Sequence, residues 1–181
     1  MVSDLCCFLP IDHTELTLHP DILLSFAEGI EKTPSSLTKM VPYVLEASWT
    51  TGRWQVMEKY LESYTEGDGS NIFNLGIAKV LLCLKKGDGE RFEELLDEMR
   101  DKISSSMTFS GTSSFRTCHD AMLKCHILAD LELIANAEPV EDEGLEPFLK
   151  ALERRLEVLG AYVSDKQYVL GIRRAAMELL R

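Results

Sequence analysis

The chain has no long apolar run: nowhere in its 181 residues do the roughly 20 consecutive apolar side chains of a bilayer-spanning helix occur. Cationic residues are also scarce, with 19 Lys and Arg against 30 Asp and Glu and a formal net charge of -11. Most of such a surface repels a phosphate backbone or an anionic membrane face, so direct nucleic-acid or membrane binding is not expected. Cysteine is sparse and odd in number. Cys6, Cys7, Cys83, Cys118 and Cys125 contain no C-x-x-C pair, and most sit inside apolar helical patterns. That usage fits buried thiols in a reducing compartment, not a disulfide framework. The first residues lack a basic stretch, carry Asp4, and their short apolar run ends at Pro10, so they do not read as a secretory signal. A soluble intracellular protein is expected.

Catalytic signatures are missing too. Neither D-F-G, H-R-D nor G-x-G-x-x-G occurs, so the metal-binding Asp, catalytic-loop Asp and phosphate-covering loop of a kinase are absent from this chain. Its Gly-Asp-Gly turns lack the Gly-Lys-Ser/Thr of a P-loop and the alternating acids of a calcium loop. Cys118, His119, Cys125 and His126 suggest a metal site at first sight. Positions seven apart on a helix, however, lie about 10 Å apart along its axis, too far for one tetrahedral ion with ligands near ~2 Å. Nothing in the spacing joins Cys7 to His13 or His19 as nucleophile and base. No catalytic, cofactor or metal residues are expected.

What is present is helical periodicity. Ile22, Leu23, Phe26 and Ile30 recur at helix spacing behind Pro20, which suits a first-turn proline. Gly29 and Thr33-Pro34-Ser35-Ser36 interrupt that pattern. Val41, Val44, Leu45 and Trp49 form the next stripe, with Pro42 tolerable only in the first turn. Thr50-Thr51-Gly52 then breaks it before Trp54, Met57, Tyr60, Leu61 and Tyr64, giving a helical hairpin. A polar connector over 66–71 leads to an almost wholly apolar helix over 72–84. Gly87-Asp88-Gly89 turns that helix into the stripe Phe92, Leu95, Leu96, Met99 and Ile103. Ser104 to Ser114 reads as a surface loop. Phe115, Cys118, Met122, Cys125, Ala129 and Leu133 mark a long helix, widened by Ala121, Leu128, Leu131 and Ile134. After a linker over 137–144, the residues Leu145, Phe148, Leu149, Leu152, Leu156 and Leu159 form another stripe ending near Gly160. Ser164 and Gln167 are spaced as a capping box for a last helix carrying Tyr168, Val169, Ile172, Ala176 and Leu179. The fold class predicted is all-α, an α-solenoid of antiparallel, TPR-like helix hairpins whose repeats are degenerate.

The order of three motifs narrows this reading. Glu46-Ala47-Ser48-Trp49-Thr50-Thr51-Gly52-Arg53-Trp54, followed by Glu58-Lys59-Tyr60-Leu61, resembles the hairpin of FAT domains in phosphatidylinositol-3-kinase-related kinases. Ser113-Ser114-Phe115 through His126 to Leu133 is similar to a stretch of ATR-type kinases. Leu152 to Glu157, with Leu170 to Ala176, is similar to a later stretch of the same family. Phe115 stands where the family has Tyr, and Cys125 stands where an apolar or basic residue is usual, which points to a divergent, fungal-like relative. The resemblance covers 40–181 as a FAT-type helical-repeat segment, and 1–39 is left as an irregular N-terminal segment with one helix.

What the resemblance implies is a non-catalytic scaffold within a nuclear serine/threonine kinase of the DNA-damage checkpoint, with ATP and Mg bound only by the parent's kinase domain. Expected partners are that kinase domain, the neighbouring helical repeats and an obligate ATR-interacting protein. A free-standing TPR-like adaptor is the alternative. Trp49, Gly52 and Trp54 are the expected structural hairpin. The arginines Arg154, Arg155, Arg173 and Arg174 are the candidate docking face, read otherwise as the solvated sides of helices.

Overall fold

A computed structural model describes residues 20–30, 34–64, 72–109, 114–137 and 142–180, and all regular structure among them is helical. Its helices are α1 (Pro20–Ile30), α2 (Pro34–Thr50), α3 (Trp54–Ser63), α4 (Ile72–Lys86), α5 (Gly89–Phe109), α6 (Phe115–Ala135), α7 (Asp142–Val158) and α8 (Val163–Leu179). They form two compact units, Met1–Asn74 and Leu75–Arg181, the division falling within α4. No described helix is long and apolar enough to cross a membrane. The residues Cys6, Cys7, His13, His19 and the connector over 66–71 lie outside the described residues.

Glycine turns set the hairpins. At Gly52, φ is +69°, a conformation in which a side chain crowds the backbone and glycine does not. Arg53 N–H donates to Ser48 O at 2.8 Å and Gly52 N–H to Trp49 O at 3.3 Å, the paired bonds of a Schellman ending that satisfy carbonyls left over by α2. The hydroxyls of Ser48, Thr50 and Thr51 donate back to the carbonyls of Val44, Glu46 and Ala47. Gly87 repeats the device with φ +70°, Asp88 N–H donating to Cys83 O at 3.0 Å. Asp88 then accepts from Arg91 N–H at 3.1 Å and caps α5.

In the first unit, Leu23, Leu24 and Ala27 of α1, with Val41, Val44, Leu45 and Trp49 of α2 and Met57 and Tyr60 of α3, are buried. Ile22 and Phe26, expected in the core, are exposed, because α1 is rotated to bury the adjacent stripe instead. The breaker reading of Pro34 is also corrected: Pro34 opens α2, where its missing N–H is no loss. Pro42 lies well inside the helix, not in its first turn. The burial of Val41, Val44 and Leu45 around it offsets the lost backbone bond.

In the second unit the whole predicted stripe of α5, Phe92 to Ile103, is buried. A Cβ at Gly76 of α4 would stand 2.6 Å from the Sδ and Cε of Met99, so the missing side chain lets α5 approach α4 there. The loop expected from Ser104 is helical as far as Phe109. The Ser106 hydroxyl turns inward onto Ile103 O at 2.7 Å, which removes its competition with the helix. On α6 the buried residues are Ala121, Ile127, Leu128, Asp130, Leu131 and Ile134. Cys118, Met122 and Cys125 face outward, so the stripe read as primary is the wrong one and these two thiols are exposed. Residues 142–144 are already helical. Leu149 is exposed while Leu152 and Leu159 are buried. Ser164 caps nothing, since α8 begins at Val163 with Tyr162 as its flanking residue and no side-chain cap bond.

Candidate functional site

Among the described residues, each unit buries a side-chain polar contact between helices. In the first, Glu46 and Asn74 are both almost fully buried. The Asn74 amide donates to Glu46 Oε2 at 3.1 Å and to Pro42 O at 3.4 Å, joining α2 to the first turn of α4. Trp49 is 2% exposed at the end of α2, Gly52 forms the turn, and Trp54 is only half-buried at the start of α3. Trp49 thus fills the hairpin interior while Trp54 keeps one face toward solvent. The pair is split between core and surface.

In the second unit the candidate docking arginines part company. Arg173, with a side chain 7% exposed, cannot form a docking face. Its Nε donates to Asp130 Oδ2 at 2.8 Å, and its Nη2 lies 2.7 Å from the same oxygen in ion-pair contact. Asp130 itself is 2% exposed. The reason Arg173 turns inward is that burying Asp130 without a cation would cost several kcal/mol. Arg155 of α7 approaches the other carboxylate oxygen, Nε to Oδ1 at 3.6 Å, beyond hydrogen-bond reach. Three helices therefore meet on one carboxylate. Burial pushes the Asp130 carboxyl up from its ordinary value, opposed by its bond to Arg173 and by the charges of Arg173, Arg155 and His126. Arg154 and Arg174 remain exposed, Arg174 pairing with Glu178 one turn on at 2.9 Å.

A second contact lies toward the start of the same helices. His119 Nε2 is 2.8 Å from Asp165 Oδ2, and its ring packs against Tyr162 with centroids 4.6 Å apart. His119 precedes Asp130 on α6 as Asp165 precedes Arg173 on α8, so the two helices run in the same direction. Arg100 pairs with Glu132 and ties α5 to α6. Sequence reasoning missed both Asp130 and His119–Asp165. Asp130 and Glu132 both interrupt the apolar run from Ile127 to Ile134, so the sequence does not say which of the two turns inward. No group of three or more His, Cys, Asp and Glu among the described residues could hold a metal ion.

Comparison with known proteins bears on what such an interior serves. The model of the FAT domain family matches residues 41–181. The chain belongs to the FAT-domain family, an all-α class built of helical repeats. Among relatives, the serine/threonine-protein kinase ATR of Oryza sativa subsp. indica is 22% identical over 121 residues, 63% of this chain and 4% of that protein. The ATR of Arabidopsis thaliana is 22% identical over 134 residues, 70% of this chain and 5% of that protein. The serine/threonine-protein kinase mTor of Drosophila melanogaster is 25% identical over 133 residues, 72% of this chain and 5% of that protein. The chain spans only 4% to 5% of the length of these relatives. No solved structure matches it.

Proposed function

We propose that the chain is a non-catalytic helical scaffold segment of an ATR-like serine/threonine protein kinase, supporting and regulating an attached kinase domain in nuclear DNA-damage checkpoint signalling. The observation that carries this reading is the FAT-family match over 41–181. The motifs that resemble the family fall on structural elements: the Gly52 hairpin, α6, and α7 with α8. In this reading ATP and Mg are bound by the kinase domain, and the scaffold's partners are that domain, neighbouring repeats and an obligate ATR-interacting protein. Exposed apolar positions seven apart on α8, Val163 and Leu170, suit cover by an adjoining helix. Arg154 and Arg174, with the half-exposed Arg155, are the cations left to meet an acidic partner surface.

The test is to sequence the transcript through codon 181 and assay its product. An in-frame kinase domain downstream is expected, and the product should retain partner capture but lose it when Arg154 and Arg174 are both changed to Glu. A stop codon soon after 181 in a complete gene would replace this reading with the free-standing adaptor.

A further inference from the structure

The buried contacts between α6 and α8 divide into two kinds. The buried residues that the two helices carry are mostly aliphatic: Leu128, Leu131 and Ile134 on α6, Val169, Ile172 and Ala176 on α8. Contacts of this kind discriminate poorly between neighbouring registers, because a slide by one helical turn, about 5.4 Å, again sets aliphatic groups on aliphatic groups. Volume-conserving rearrangements of such surfaces lose uniqueness before they lose stability. The His119–Asp165 pair is partly exposed, with side chains 19% and 24% accessible, so water can replace either partner. Asp130 and Arg173 have no such recourse. A slipped register would leave each buried opposite hydrocarbon, and an unpaired buried charge is strongly disfavoured.

We propose that the Asp130–Arg173 pair, with Arg155 as its third member, is a register lock: it selects one arrangement of α8 and α7 on α6 and contributes little net stability. The desolvation of two charges cancels much of their attraction. The contact geometry agrees with a device tuned for selection. Asp130 Oδ1 and Arg173 Nη2 are both buried without a hydrogen bond, and Arg155 Nε approaches Oδ1 only to 3.6 Å. A pair optimised for stability would satisfy both carboxylate oxygens. Here one oxygen holds α8 tightly and the other holds α7 loosely, so a single carboxylate aligns two helices.

Two variants of the full chain separate selection from stability. Asp130→Leu combined with Arg173→Met replaces the pair by hydrocarbon. It is expected to melt no lower than the wild type while its α8 amide NMR resonances split into several sets or broaden. Arg173→Lys keeps a buried pair with poorer geometry. It is expected to melt several degrees lower yet retain one sharp set. One sharp set in the apolar double variant, a melting point well below the wild type or failure to fold in that variant, or split resonances in Arg173→Lys would each overturn the proposal.

Discussion

The two units of this chain are held by different kinds of contact. The first, α1 to α3, is closed by shape: Trp49, Leu45, Met57 and Tyr60 fill a hairpin whose angle is set by Gly52. The second, where α6, α7 and α8 meet, is closed around a charge, with Asp130 drawing in Arg173 and Arg155. Shape complementarity degrades by degrees when a side chain is trimmed. A buried ion pair degrades abruptly when one partner is removed and hardly at all when both are. The contrast says which substitutions each unit tolerates.

The largest effect is expected where the hairpin loses its filler. Trp49→Ala removes a side chain 2% exposed and should cost about 3–5 kcal/mol. Urea unfolding followed through the fluorescence of the remaining Trp54 measures it. A loss below about 1 kcal/mol would mean that the neighbours collapse onto the space and that the unit is not held by fit. For the charged unit, Arg173→Met alone should cost a similar amount, about 3–5 kcal/mol, because Asp130 stays buried without its cation. If the single variant and the Asp130→Leu, Arg173→Met double variant lose equal stability, the contrast between the units disappears.

The pH dependence sharpens the same point. Burial raises the folded-state pKa of Asp130 above its unfolded value, which Arg173, Arg155 and His126 oppose. The folded chain therefore binds this proton more tightly than the unfolded one. The resulting stabilisation is fully present below the unfolded value of about 4 and is lost as pH rises through the folded value. The stability of the wild type minus that of Asp130→Asn should therefore grow as pH falls from neutrality toward pH 4. A difference that shrinks toward acid would show that Arg173 outweighs burial at this carboxylate.

Turn geometry comes next in size. A Cβ at Gly52 would meet open space, so Gly52→Ala costs only the strain of a side chain at φ +69°, about 1–2 kcal/mol. The position of this turn was legible in the sequence, as were those at Gly87 and near Gly160. Glycine leaves a clear mark because only the backbone decides its role. The stripe of α5 was equally clear, since one face of that helix is acidic and basic throughout. The faces of α1 and α6 were not. Both helices carry apolar residues around more than half their circumference, so periodicity alone leaves the rotation undetermined. Neighbours decided it, burying Leu23 and Leu24 over Ile22, and Leu128 over Met122. The ion-pair node was hidden for a related reason: Asp130, Arg155 and Arg173 are far apart in sequence, and an arginine facing inward is spelled the same way as one facing out.

Arg173 and Arg174 make the comparison at its smallest scale. They are adjacent on α8 and chemically identical, and helix geometry turns them about 100° apart. One is thereby buried against Asp130. The other is 69% exposed, paired with Glu178 at 2.9 Å on its own helix. In water the attraction between such a pair is screened, and holding two long side chains together costs entropy, so the net contribution is about 0–0.5 kcal/mol. Arg174→Ala should therefore leave the urea midpoint nearly unchanged, while partner capture falls independently of folding. A stability loss above about 1 kcal/mol would place Arg174 within the packed interior of the unit and erase the distinction drawn between the two arginines.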